Sequence, residues 1–202
     1  MGGSIMQNNL SVNRGAKLST RQLAIIGMLS GVSVILGMTP LGFIPLPFMN
    51  ATIMHVPVII GAIIEGPVVG ALVGLIFGIF SFIKAFSNPT PTAFLFMNPI
   101  ISIIPRVLIG LGSYYVYKAV KLNSVNIKIG FAAIIGSLIN TVGVLGFAYL
   151  IYGDKLANSM QISKTAVGIS FLTTAGMNGI PEAIIAALIT IPVVISLKKI
   201  LK

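Results

Sequence analysis

The sequence predicts an all-α integral membrane protein, a bundle of six transmembrane helices with both termini on the cytoplasmic side. Three observations lead there. Hydrophobic residues make up 56% of the 202 and charged residues only 8%, against about 25% charged in a soluble domain; mean hydropathy is +1.05. Gly66, Gly70, Gly74 and Gly78 recur at four-residue spacing in an almost uncharged stretch. Each would weaken a soluble helix by about 1 kcal/mol relative to alanine, whereas in lipid the stripe makes a groove where another backbone packs closely. Finally, the basic residues sit at the ends of apolar runs rather than among aromatics on a polar face. That is the positive-inside pattern, and it argues against a nucleic-acid partner despite a net charge of +10.

Residues 1–19 are polar and rich in Gly, Asn and Ser. They read as a disordered cytoplasmic tail without the small-residue cleavage site of a signal peptide. Residues 20–202 read as one membrane domain. The first span is expected over 22–38, behind Arg14, Lys17 and Arg21. Residues 39–50 are too apolar for an ordinary loop and too proline-rich for a helix, so a re-entrant or lid-like cap is expected there. The second span is expected over 52–65 and the glycine-striped third over 67–86. A loop over 87–97 precedes a fourth span over 98–117. Lys118, Lys121 and Lys128 mark a basic connection, and the fifth span follows over 129–152. A polar loop is expected over 153–163. The apolar stretch 165–197 is too long for one straight span, and Asn178-Gly179-Ile180-Pro181 divides it. The Arg14 to Arg21 cluster, the Lys118 to Lys128 connection and the C-terminal lysines then share the cytoplasmic side.

Polar groups at membrane depth are costly and therefore the main functional clue. Arg106 lies eight residues, about 12 Å, into its span. It reads either as a fixed cation facing an anionic ligand or as a group tied to carbonyls opened by Pro105, or to Glu182. Glu182 and Asn178 share one face of the last span and read as acceptors for ligand hydroxyl or amide protons. His55 and Thr52 lie beneath the proline-rich cap, although a lone histidine also reads as a plain helix-end residue. Asn98 is a candidate ligand or a helix cap. Asn140 is a candidate ligand or an interhelical hydrogen-bonder. Phe96 and Tyr149 read as an apolar wall or as an interfacial aromatic belt. Gly27 and Gly31 form a GxxxG pair that packs inside the bundle or docks another membrane protein. Glu65 reads as solvated at a cytoplasmic turn or as a helix-end residue.

The same residues limit the chemistry. There is no cysteine, and only one histidine and three acidic residues. No metal site, no nucleophile–base pair and no cofactor is therefore expected, and the chain does not read as an enzyme. It carries no nucleotide-binding motif, so energy must come from a partner or an ion gradient. The latter would make it an autonomous secondary transporter, against which the lack of a visible inverted repeat counts.

The segments TPLGFIPLPF (39–48), HVPVIIGAIIEGP (55–67), GALVGLIFGIFS (70–81) and NPIISIIPRVLIG (98–110) resemble the substrate-binding S components of energy-coupling factor (ECF) vitamin transporters. The resemblance covers residues 18–197. It implies a six-helix carrier for a small vitamin, with an extracellular pocket closed by the loop between the first two spans. It also implies docking on a transmembrane T subunit driven by two ATP-binding subunits, which alone use ATP. In that family the first helix carries alanines at four-residue spacing for T-subunit contact, and Gly27 and Gly31 fall at the matching positions. The pantothenate group is the most similar; hydroxymethylpyrimidine, pyridoxine, cobalamin and riboflavin remain open alternatives.

Overall fold

The computed structural model describes residues 18–46, 49–87 and 93–200. Most of the expected disordered tail, the tip of the proline-rich segment and residues 88–92 lie outside the described residues. Seven α-helices and one β-hairpin follow in chain order. Helix α1 (Thr20–Met38) opens with a capping box, in which Ser19 and Gln22 bond each other's backbone N–H. It ends where Thr39 Oγ1 donates to the Ile35 carbonyl ahead of Pro40.

The proline-rich stretch is neither helix nor irregular loop. A 3-10 turn (Pro40–Gly42) leads into β1 (Phe43–Leu46), paired antiparallel with β2 (Met49–Thr52) in the register Phe43↔Thr52 to Leu46↔Met49. A two-stranded ladder leaves an outer edge on each strand, where a proline's missing N–H costs no ladder bond. This hairpin is the departure from the all-α expectation among the described residues.

Helix α2 spans only Val56–Glu65, ten residues, about 15 Å. The expected second span over 52–65 is therefore corrected: Thr52 belongs to β2, and α2 alone is too short to cross a bilayer. Every residue from Val56 to Ile63 is buried, so its apolarity serves the bundle core rather than lipid. Among the described residues five helices are long and apolar enough to cross: α1, α3 (Pro67–Ser87), α5 (Pro99–Ala119), α6 (Val125–Met160) and α7 (Lys164–Ile200). The short α4 (Ala93–Phe96) precedes α5.

The glycine stripe packs α3 against α5. A methyl group added at Gly70 would meet Ala62 and the backbone of Gly110, one at Gly74 the Arg106 carbonyl, and one at Gly78 the backbone of Ser102 and Ile103. Gly66 does something else: it caps α2 with φ of 100°, a conformation that favours glycine. The two helices run antiparallel, because Gly70 meets Gly110 while Gly78 meets Ser102.

The polar loop expected over 153–163 is mostly helix. α6 continues to Met160, and Gln161 closes it in the left-handed region. The break expected at Asn178–Pro181 is also absent: α7 runs unbroken for 37 residues. A membrane helix tolerates internal proline when neighbours re-satisfy the freed carbonyl. Arg21 bonds Glu65 at 2.6 Å, and Lys198 bonds the Tyr117 hydroxyl at 2.5 Å. With antiparallel α3 and α5, these contacts gather the start of α1, the α2–α3 turn, the end of α5 and the end of α7 at one end of the bundle. The hairpin, α4 and the α6–α7 turn lie at the other. The main apolar core, built around Ile59, Ile63, Val69, Val73, Ile109 and Val194, fills the terminal half; a smaller cluster of Leu95, Ile101, Val144 and Ala148 lies toward the hairpin end.

Candidate functional site

A cavity of about 620 Å³ opens at the hairpin end, between the hairpin and α3, α5, α6 and α7. Seven of the nine candidate ligand residues line it: Arg106, Glu182, Asn178, His55, Asn140, Thr52 and Phe96. The other two stand apart. Asn98 caps α5, its Oδ1 accepting the Ile100 N–H at 3.0 Å. Tyr149 packs over Gly153 and Gly168, with Lys164 Nζ 5.8 Å from its ring centre.

Arg106 is 6% exposed and meets no carboxylate among the described residues. Its Nη1 donates to the Ile101 carbonyl at 2.9 Å. That oxygen is free because Pro105, four residues on, has no N–H to offer it. The guanidinium stands 5.5 Å from the Phe77 ring centre and 5.3 Å from that of Phe96, a cation–π sandwich. None of these contacts cancels the charge, and Nε has no partner.

Glu182 is equally buried and turned elsewhere. Its Oε1 accepts both the Thr52 N–H and the Thr52 hydroxyl at 2.9 Å; its Oε2 accepts the Thr141 hydroxyl at 3.4 Å. The Arg106–Glu182 ion pair weighed from the sequence is not formed. His55, the residue that caps α2, is 1% exposed and neither ring nitrogen has a partner among the described residues. The Asn140 Oδ1 is likewise buried and unpaired. Buried polar groups in folded proteins are normally satisfied; among the described residues Arg106, His55 and Asn140, which line the cavity, carry unpaired atoms, as do Ser30, Ser33, Ser113, Ser137 and Thr190 elsewhere in the bundle.

Lys84 and Thr141 also line the cavity and escaped the sequence reading. Lys84 lies in the last turn of α3, where its Nζ donates to the Gly37 carbonyl and lies 5.8 Å from the Phe43 ring centre. Two cations against one carboxylate leave the lining net positive among the described residues.

Gly27 and Gly31 do not pack inside the bundle: among the described residues no group of another element lies within 4 Å of a methyl placed at either position. They sit on the open face of α1 with Leu23, Met28 and Ile35. Glu65, read as solvated or as a helix-end residue, is the last residue of α2 and is paired with Arg21.

Comparison with known proteins fits this architecture. Residues 21–194 match the family model described as the ECF transporter, substrate-specific component. The chain belongs to this family. It is 36% identical over 169 residues to a pantothenic acid transporter, PanT, of Lactococcus lactis subsp. cremoris, covering 77% of this chain and 81% of that one. It is 31% identical over 136 residues to a pantothenate transporter, PanT, of Leuconostoc mesenteroides subsp. mesenteroides, covering 62% and 67%. A solved S component of a bacterial ECF transporter superposes with a TM-score of 0.53 at 22% identity, covering 90% of this chain and 95% of that one, and so shares the fold. This S component is thus a multi-pass membrane transport protein.

Proposed function

We propose that this S component captures pantothenate from outside the cell and delivers it through a T subunit driven by two ATP-binding subunits. The observation that carries the substrate is the buried Arg106, uncancelled by any described carboxylate and bordering the cavity. Pantothenate brings one carboxylate, one amide and two hydroxyls. The carboxylate suits Arg106. The orphaned Asn140 oxygen suits the amide N–H or a hydroxyl. His55, with one donor and one acceptor as a neutral imidazole, suits a hydroxyl that both accepts and donates. Asn178 and Thr174 line the remaining wall. The volume is within the range of small-molecule sites. The names of the two relatives point to the same vitamin.

In this reading the hairpin and α2 together make the sixth crossing, and the terminal end of the bundle faces the cytoplasm, where Lys118, Lys121, Lys128, Lys198 and Lys199 cluster. Residues 1–19 are a cytoplasmic tail. The open Gly27/Gly31 face of α1 docks the T subunit. The chain holds no cofactor and performs no chemistry; ATP is used by its partners.

Thermal unfolding of the purified chain with candidate vitamins tests the substrate. At a free concentration about 100 times Kd the bound state gains about 2.7 kcal/mol, several degrees in Tm. Pantothenate is expected to give that shift. No shift with pantothenate and a large one with hydroxymethylpyrimidine, pyridoxine, cobalamin or riboflavin overturns the assignment.

A further inference from the structure

We propose that Glu182 is the latch of the hairpin rather than a substrate ligand: its hydrogen bonds to Thr52 hold the hairpin over the cavity and set how fast ligand enters and leaves. The ligand half of this inference rests on the cavity being the pantothenate site; the latch itself does not.

An isolated two-stranded hairpin is marginally stable in water, so its position over the cavity depends on what anchors it. Among the described residues the side-chain hydrogen bonds that tie it to the helices are the two from Thr52 to Glu182. Thr52 is the last residue of β2 and stands across the ladder from Phe43, the first residue of β1. That pair is the root of the hairpin, opposite its turn. Phe43 meets the Lys84 ammonium of α3, while Thr52 meets the Glu182 carboxylate of α7. The root is therefore gripped from two sides by opposite charges, and all four groups line the cavity.

The carboxylate is already engaged. A carboxylate offers about four lone-pair sites; two are directed at Thr52 N–H and Thr52 O–H, and a third faces the Thr141 hydroxyl at 3.4 Å, whose one proton the Ser137 carbonyl shares. The Thr141 bond adds α6 to the junction. A latch of this kind leaves Arg106 uncompensated for an anion. It also places the hairpin's anchor in the wall that an entering ligand touches, one turn from Asn178.

Two readouts test the latch. In the ligand-free chain, Glu182→Ala is expected to raise hydrogen–deuterium exchange of residues 43–54 at least about tenfold, as loss of even one charge-assisted hydrogen bond implies, with α3 and α5 unchanged. With radiolabelled pantothenate, association and dissociation rates are both expected to rise about tenfold while Kd moves less. Thr52→Val removes one of the two donors and is expected to change both readouts in the same direction by less. If Glu182→Ala does not fold, Thr52→Val carries both measurements under the same criteria. Unchanged exchange in the hairpin overturns the latch. Faster dissociation with association unchanged also overturns it, because Glu182 then acts as a ligand contact. A wild-type chain that fails to bind pantothenate overturns the substrate instead, and the exchange experiment still decides the latch.

Discussion

Arg106 meets a carbonyl and two aromatic faces, groups that hold its charge in place without cancelling it. A carboxylate that docks there forms a buried ion pair, and truncating one partner of such a pair costs about 2–5 kcal/mol. Arg106→Ala is therefore expected to weaken pantothenate at least about thirtyfold by equilibrium binding. It should also erase the preference for pantothenate over its alcohol analogue, which lacks the carboxylate. Unchanged affinity would show that Arg106 serves only the Pro105 gap. His55 gives a prediction of opposite sign in two measurements. Neither ring nitrogen has a partner among the described residues, and a buried polar group without one costs about 1–3 kcal/mol. His55→Leu is expected to raise the Tm of the ligand-free chain and to lower pantothenate affinity; a fall in both would make the imidazole structural. Most of this cluster was legible in the sequence, because an ionisable or amide group inside an apolar run is conspicuous. What Glu182 touches was not legible, since Thr52 lies 130 residues away and no local pattern links them. Lys84 was missed because a lysine at a helix end has the same appearance whether it faces water or a cavity. Asn98 and Tyr149 do not line the cavity; a helix cap or an aromatic packed between helices has the same composition as a site residue.

The α3–α5 pair positions the site, and its geometry depends on glycine. Gly74 lies against the carbonyl of Arg106 itself, so separating these helices displaces the guanidinium. A methyl at Gly74 would collide with backbone, which cannot yield as a flexible side chain can. Gly74→Ala is expected to lower Tm markedly and to weaken pantothenate binding together with it. Gly176→Ala is the control: a methyl there meets nothing within 4 Å. Helix propensity then makes the change neutral or stabilising by up to about 1 kcal/mol. A Gly74→Ala chain with wild-type Tm and affinity would refute the role given to the stripe. The long apolar helices and this stripe could be read from the sequence, since periodic burial leaves a periodic signature. The hairpin could not, because its strands are only four residues each and β1 carries Pro45. The length of α2 could not either: an apolar decapeptide buried in protein has the same composition as half of a membrane span. Polar residues over 153–163 signalled a loop, yet α6 persists there beside α7, with Lys164 and Asp154 paired at 2.8 Å.

At the scale of the whole molecule, the cavity and the open face of α1 are different surfaces. The cavity belongs to the hairpin end, bounded by α3, α5, α6 and α7. The open face belongs to α1, which buries Ile26, Leu29, Ser30, Ser33 and Gly37 and turns Gly27 outward with Leu23, Met28 and Ile35. α1 is pinned at both ends, by the Arg21–Glu65 bridge and by Lys84 on the Gly37 carbonyl. Its outward face is thus a fixed surface, smooth enough at Gly27 and Gly31 for another helix to approach closely. If a T subunit docks there, bulk at these positions must separate two activities. Gly27→Leu and Gly31→Leu, singly or together, are expected to leave pantothenate affinity within about twofold, the range of surface substitutions. In proteoliposomes with the T subunit, both ATPases and ATP, the same variants are expected to abolish accumulation. The unsubstituted chain alone, under an ion gradient, is expected to accumulate nothing. Loss of binding in the variants would mean that the face packs internally after all, and retained uptake would move the docking surface elsewhere. Uptake by the chain alone would make it a secondary transporter, with the cavity intact and its engine misassigned.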